Sequence, residues 1–158
     1  MSLKGKLEYA LQKVLSQSDE LPVELRETAN AKSRIFMGAD SEGLTRPCVV
    51  VWVQGGEEEP QGSGNCWQQV SVLVKSPGDA DSTGDLIDFD PVANHNARAE
   101  AVLGILCVDN LGELLSAAGE SLTVYDPITD VNLQPDLEGR SFVDGMTFRC
   151  YCAPTAIL

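Results

Sequence analysis

The sequence predicts an α+β fold: a mainly antiparallel sheet of four or slightly more strands against two or three helices, in the order α-(α)-β-β-α-β-β. Two patterns support this prediction. Apolar residues recur every three to four positions near the N-terminus and again after Asn94, whereas elsewhere they alternate with a period of two. Segments rich in glycine, proline and acid separate these stretches. The length of 158 residues fits a single domain, 1–158.

A helical segment begins the chain. Ser2 is a suitable N-cap for an amphipathic helix over 3–15, in which apolar side chains follow three- and four-residue steps. A second short helical stretch is expected after Pro22, whose fixed φ suits a first helical turn, through to about Lys32. The amphipathic helix must bury one face against the rest of the domain.

Two strands are predicted next. The strand Cys48–Gln54 is apolar on both faces, which favours a central position in the sheet or an interface. An exposed loop at 55–64 leads to the second strand, Cys66–Lys75, so the pair forms a hairpin with a long loop. Trp52 lies on the face opposite the alternate valines of its strand. Such a tryptophan more often fills a core, but it is also a candidate interface residue.

The second half of the chain repeats the change from helix to strand. An exposed acidic loop at 77–91 is followed by a helix over 96–117, which Asp109-Asn110 or Gly112 could divide. Two closing strands are predicted at Leu122–Tyr125 and Phe142–Cys152, joined by an exposed polar connection at 127–139.

The charge argues against DNA binding by the open surface. The chain has 11 basic and 24 acidic residues, a net charge of −13. Ten acidic and two basic residues lie in 40–90, and eight acidic and two basic residues lie in 109–158. Sequence-independent affinity for phosphate requires clustered Lys and Arg, which this chain lacks. The acid can serve solubility, repel nucleic acid or contact a basic partner.

One segment nearly matches a calcium-binding loop. Asp79, Asp81 and Thr83 occupy the first, third and fifth ligand positions, and a glycine follows at the sixth. However, Pro77 and its following glycine preclude the helix that should enter such a loop, and Asp90 is too short to replace the usual bidentate glutamate. We therefore expect an acidic surface loop that folds without metal.

The chain shows no catalytic, cofactor or metal motif. His95, the only histidine, lies near a predicted helix start, where capping or exposure is more common than catalysis. The five cysteines contain no Cys-x-x-Cys pair, and their odd number argues against a disulfide framework. Cys150 and Cys152 share one face of a strand, as small buried side chains would. An enzyme is therefore the least expected class, and no cofactor is predicted.

The remaining candidate residues suit an interface or a channel. They are Trp52 and the carboxylates of two loops. Adjacent carboxylates repel one another, which favours extended, solvated loops that face a channel or a neighbouring ring. These acidic candidates are Glu57, Glu58, Glu59, Asp79, Asp81 and Asp85.

The whole chain resembles the tail-terminator, or tail-completion, proteins of long-tailed bacteriophages. The resemblance is one of size, element order and residue pattern, from the N-terminal helix through the Pro47-led strand to the last strand, Phe142–Cys152. It implies a non-enzymatic virion protein that forms a ring, commonly a hexamer, on the last ring of the tail tube. Such a ring stops tube growth and binds the tail-tube protein and a head-completion or neck protein.

The resemblance also implies a location and a path for DNA. The ring would lie at the head-proximal end of the tail after assembly in the bacterial cytoplasm. Genomic DNA would pass through its channel without specific binding, and no membrane would be involved. An acidic channel fits such passage because it repels DNA.

Two other classes stay open from the sequence. A different neck or head–tail connector protein would share ring formation but bind the portal side. An intracellular acidic binding module, such as a DNA mimic, would spread its carboxylates at phosphate-like spacing, whereas here the acid is concentrated in loops.

Overall fold

The protein is a sheet with helices packed on one face. A computed structural model describes residues 2–29, 32–37, 46–58, 61, 64–77, 91–138 and 141–154. Within these ranges there are three α-helices, one 3₁₀ turn and five strands. In chain order they are α1 (Leu3–Gln17), the 3₁₀ turn (Val23–Leu25), β1 (Ile35–Met37), β2 (Cys48–Glu58), β3 (Cys66–Pro77), α2 (Pro91–Leu106), α3 (Leu111–Ala118), β4 (Leu122–Glu138) and β5 (Ser141–Pro154).

The five strands form one mixed sheet in the order β1-β2-β3-β5-β4. The short strand β1 pairs with β2 in parallel, with Ile35 opposite Val49. All other pairs are antiparallel. The last strand of the chain, β5, is therefore an interior strand that pairs along its length with both β3 and β4.

The hydrophobic core lies between the helices and one face of the sheet, which we call the inner face. Strand β3 buries alternate residues from Cys66 onwards, as expected when one face of a strand is covered. Full burial of a valine or leucine side chain contributes about 1.5–3 kcal/mol, so this layer provides most of the driving force for folding. Core residues include Leu7, Leu11, Leu15, Val49, Val51, Val70, Val72, Val102, Leu115, Met146 and Phe148.

Local signals explain where the first helix begins and ends. The hydroxyl of Ser2 accepts a hydrogen bond from the backbone N–H of Gly5 at 3.1 Å, which caps α1 as predicted. The helix ends at Gln17, and the N–H of Ser18 donates to the carbonyl of Leu15. The predicted helix over 3–15 is thus confirmed, with two further residues.

The five strands fall within the predicted number of four or slightly more, but the predicted element order and the pairing of one strand are wrong. The structure contains the additional strand β1, which pairs in parallel, so the sheet is mixed. A strand of three residues is too short to show a period of two, and its position follows from tertiary pairing. The helical stretch expected to reach Lys32 is limited to the 3₁₀ turn Val23–Leu25.

One further expectation from the second half of the sequence is also wrong. The connection expected to be exposed at 127–139 belongs mostly to β4, which continues to Glu138. Pro127 and Pro135 suggested a loop, but an edge strand tolerates proline because one side of its backbone has no sheet partner.

The helical stretch predicted over 96–117 is divided into α2 and α3, which are bent by 82°. The division lies at Asp109 and Asn110, one of the two places where the sequence allowed it.

No single helix in the described ranges is long and apolar enough to cross a membrane. The bent pair Val92–Leu106 and Leu111–Ala118 meets that length and composition only when its two helices are counted together.

Candidate functional site

The sheet face opposite the helices, which we call the outer face, carries a row of aromatic side chains, of which Tyr125 is exposed and Trp67 and Tyr151 are half-buried. Trp67 on β3, Tyr151 on β5 and Tyr125 on β4 are direct cross-strand partners. The ring centroids of Trp67 and Tyr151 are 5.4 Å apart, and those of Tyr151 and Tyr125 are 5.6 Å apart. Tyr125 is 46% exposed. Cross-strand aromatic pairs stabilise the sheet, yet this row also presents apolar area to the outside.

Trp52 lies on the same outer face and is 40% exposed. Its partner in the register is Ser71 on β3, whereas the valines on either side of it point into the core. The structure therefore places this predicted candidate residue on the surface, and not in the core that tryptophans more often fill. Large exposed aromatic side chains are enriched at protein–protein interfaces.

Strands β2 and β3 approach each other closely beside Trp67, at one end of this aromatic row. A Cβ at Gly56 would lie 2.3 Å from the carbonyl oxygen of Trp67, so only glycine fits there. The register shifts between Gly55 and Glu58, which marks a bulge at this point. The glycine pair that suggested the start of a loop instead belongs to β2.

The outer face is cationic where its side chains are described. Arg149 lies with its guanidinium carbon 4.9 Å from the centre of the Trp67 ring, and Lys75 is on the same face of β3. Among the described side chains of this face there is no carboxylate, although the chain has 24 acidic residues. In contrast, exposed acids lie on and beside α2 and α3: Glu100, Asp109, Glu113 and Glu120.

A second polar feature is buried between α2 and the sheet. His95 is only 2% exposed, and its ring nitrogens lie 2.8 Å from Ser76 Oγ and 2.7 Å from Asp144 Oδ2. Arg98 is 4% exposed; its Nη1 donates to Ser76 Oγ at 3.0 Å and its Nε donates to Glu24 Oε1 at 2.7 Å. We call these five residues the buried polar network.

The contacts of this network form a continuous chain. Arg98 donates to Ser76 Oγ, and the two ring nitrogens of His95 contact Ser76 Oγ and Asp144 Oδ2. Buried polar groups are costly unless they are paired, so the complete chain allows a charged arginine and a histidine to lie beneath the helix.

The atom order Ser–His–Asp is that of a nucleophile, a base and an orienting acid. Two features argue for a structural role instead. Ser76 is fully buried, and its oxygen already accepts a bond from Arg98. The network ties α2 to β3, β5 and the 3₁₀ turn.

The sequence did not reveal this network. His95 was expected to cap a helix or to be exposed, whereas it is buried. Ser76 and Asp144 lie 19 and 49 residues from it, so no local motif joins the three. The one available signal was that the single histidine and Arg98 are three residues apart and so share a face of the predicted helix.

The cysteines form no metal centre in the described part of the chain, where no group of three or more His, Cys, Asp or Glu could hold a metal ion. Cys150 and Cys152 are buried with their sulfurs 3.7 Å apart. Their mutual hydrogen bond, followed by burial, raises the pKa of Cys152. Burial also raises the pKa of Cys48, against the smaller opposing effects of Arg34 and Lys75. The thiols of Cys48 and Cys152 are therefore protonated at neutral pH.

The other predicted candidates cannot be compared with the structure. Glu57 and Glu58 belong to the end of β2, but their side chains are not described. Glu59, Asp79, Asp81 and Asp85 lie outside the described residues, as does the rest of the calcium-like loop up to Asp90.

Comparison with known proteins gives no assignment: no protein-family model matches the chain, and no curated protein matches its sequence. Function is therefore argued from the surfaces of the molecule.

Proposed function

We propose that this chain is a structural phage protein that forms a ring at the head-proximal end of the tail. The ring caps the tail tube, ends its polymerisation and provides the attachment surface for head or neck proteins. The observation that supports this proposal is the open outer face, where Trp52 and Tyr125 are exposed on a rigid sheet beside the Trp67–Tyr151 pair. In a monomer the exposed rings of Trp52 and Tyr125 stay in water, whereas subunit assembly would bury them.

The charge distribution is compatible with a ring around DNA. Exposed carboxylates on the helical layer and the overall charge of −13 repel the phosphate backbone. The cationic residues are few, so DNA would pass without being held.

Two measurements test the proposal. Native mass spectrometry and electron microscopy of the purified chain should show a ring, a hexamer being the expected size. Tail tubes polymerised from the tube protein of the same phage should become shorter and uniform when the chain is added during growth. A chain that leaves the tube length unchanged would contradict tail capping.

The three adjacent glutamates that follow Gly56 have their own test. Glu57, Glu58 and Glu59 are replaced together by Gln, and monomer stability, ring formation and the yield of finished tails are measured. Because isolated surface charges contribute at most about 0.5 kcal/mol, stability should hold while assembly or DNA passage decreases. Normal assembly and infection would show that these carboxylates serve only solubility.

The same experiments separate the alternatives. A ring that binds the portal side but caps no tube would be a different neck or connector protein. A monomer that binds a basic DNA-binding protein would be an acidic mimic.

A further inference from the structure

The helical layer contains an open groove of about 570 Å³ between α1, α2 and α3, which we call the apolar groove. Val108 and Leu114 line it and are 39% and 38% exposed, so both aliphatic side chains project from the surface. Gly104 also lines it, and a Cβ at this position would have no heavy atom within 4 Å. The same surface therefore combines apolar projections with a hollow.

The wall of the apolar groove that α1 forms carries both signs of charge. Lys13 lies one turn before the end of α1 at Gln17, and Glu20 lies three residues beyond that end. Within the described ranges neither charged side chain belongs to an ion pair. The Lys13 ammonium lies 5.8 Å from the centre of the Tyr9 ring, a cation–π contact that leaves its hydrogen-bond donors available. Gln17, between the two charges in the sequence, is exposed and also lines the groove.

A surface with these features is complementary to a second copy of itself. In a two-fold contact, residue i of one copy faces residue j of the other, and residue j faces residue i. An axis through Gln17 places Lys13 of each copy opposite Glu20 of the other, which gives two ion pairs. The Gln17 amide both donates and accepts hydrogen bonds, so it can pair with its own counterpart on the axis. The hollow at Gly104 has room for an apolar projection of the other copy.

We infer that two copies of this chain pack through their apolar grooves about a two-fold axis. Such packing removes Val108 and Leu114 of both copies from water and pairs the two charges that are unpaired on the α1 wall. A two-fold contact joins two copies and does not continue to a third, so it is not the contact that closes a ring. The inference therefore goes beyond the proposed function: it pairs free subunits, or two whole rings where the ring contact is also made.

Charge reversal tests the two ion pairs. Lys13→Glu makes two carboxylates face each other at both places in the contact, and Glu20→Lys makes two ammonium groups do so. Each variant should therefore associate at least about tenfold more weakly than the wild type. A chain with both substitutions has opposite charges facing again and should recover wild-type affinity. Glu27→Lys is the matched control, because it makes the same change of charge on an exposed residue outside the groove lining.

Two further samples test the geometry of the contact. In an equimolar mixture of Lys13→Glu and Glu20→Lys chains, every carboxylate of one chain faces an ammonium group of the other, so mixed pairs should form at wild-type affinity. Gly104→Phe fills the hollow and should prevent association, whereas Gly104→Ala adds one methyl group and should not. Sedimentation velocity and native mass spectrometry at about 50 mM salt, where charges are weakly screened, measure the association. The melting temperature is the folding control.

The wild type should be a dimer, or a particle of twice the ring mass, and each single charge reversal should halve that mass. Three results would overturn the inference: a wild-type chain that forms only monomers or single rings, charge-reversed chains that associate at wild-type affinity, and a mixture that forms no mixed pairs. If Gly104→Phe does not fold, the charge-reversed chains decide. A wild-type dimer that forms no ring would contradict the proposed function alone, and single rings that cap tail tubes would contradict the two-fold contact alone.

Discussion

His95 Nε2 lies 2.7 Å from Asp144 Oδ2, and this contact joins α2 to the interior strand β5 across 49 residues of sequence. Its imidazole also contacts Ser76 on β3 and lies 5.7 Å from the Phe142 ring. One side chain thus connects the helical layer to two neighbouring strands.

The His95 contact gives the first prediction. His95→Ala should lower the free energy of unfolding by about 2–4 kcal/mol, because it leaves a cavity and removes a partner from both Ser76 and Asp144. Chemical denaturation monitored by circular dichroism measures the change. The control is Asn96→Ala, an exposed neighbour on the same helix, which should change stability by less than about 0.5 kcal/mol. Equal effects of the two variants would contradict a stabilising network.

A second prediction concerns the ion pair of Arg98 with Glu24. Glu24 is 40% exposed, so solvent screening limits the attraction, and Glu24→Gln should cost only about 1 kcal/mol. Arg98→Ala should cost more, about 2–4 kcal/mol, because Arg98 is buried and also donates to Ser76. A double-mutant cycle measures the coupling. Glu27→Gln is the matched control. A coupling energy of zero would show that the ion pair of Arg98 with Glu24 does not stabilise the fold.

Substitution by alanine should have opposite effects on stability at two glycines, Gly56 and Gly104. Gly56→Ala places a methyl group against the Trp67 carbonyl and should destabilise the β2–β3 pairing, by about 1–3 kcal/mol. Gly104→Ala, in open space within α2, should stabilise the protein by up to about 1 kcal/mol, since alanine favours helix more than glycine does. Thermal unfolding of both variants is the measurement. A neutral Gly56→Ala would mean that the strands separate there without cost.

The buried thiols predict a loss of stability in alkali. The pKa values of Cys48 and Cys152 are raised in the folded protein above their ordinary value of 9.0. Their contribution is therefore complete below about pH 9 and is lost as the pH rises towards the folded-state values, by up to about 1.4 kcal/mol per pH unit for each thiol. The free energy of unfolding, measured between pH 8 and pH 10.5, should depend less steeply on pH in Cys152→Ala than in the wild type. The exposed Cys107→Ala should retain the wild-type slope.

The sequence predicted the elements whose burial is periodic and missed those fixed by pairing. The strand predicted over Cys66–Lys75 lies within β3, whose alternating burial on one face produces a readable pattern. The strand β1 has only three residues, and most of β4 beyond Tyr125 lacks apolar alternation. Their conformation depends on backbone hydrogen bonds to neighbouring strands, which composition does not encode.

The candidate surfaces show the same division. Trp52 could be proposed from its strand alone, since its valine neighbours occupy the other face. The aromatic row of Trp67, Tyr151 and Tyr125 depends on the register of three strands. The apolar groove that α1, α2 and α3 line depends on the 82° bend between α2 and α3. Long-range geometry of this kind follows from tertiary packing and has no local signature.

The interior position of β5 has a consequence for synthesis of the chain. Ribosomes make β3 and β4 before β5, so the place between these two strands stays empty until residues 141–154 leave the exit tunnel. During that interval two strand edges and the apolar inner face are open to other nascent chains, a state prone to aggregation. Insertion of β5 closes both edges in one step, so the sheet cannot be completed before this strand is available.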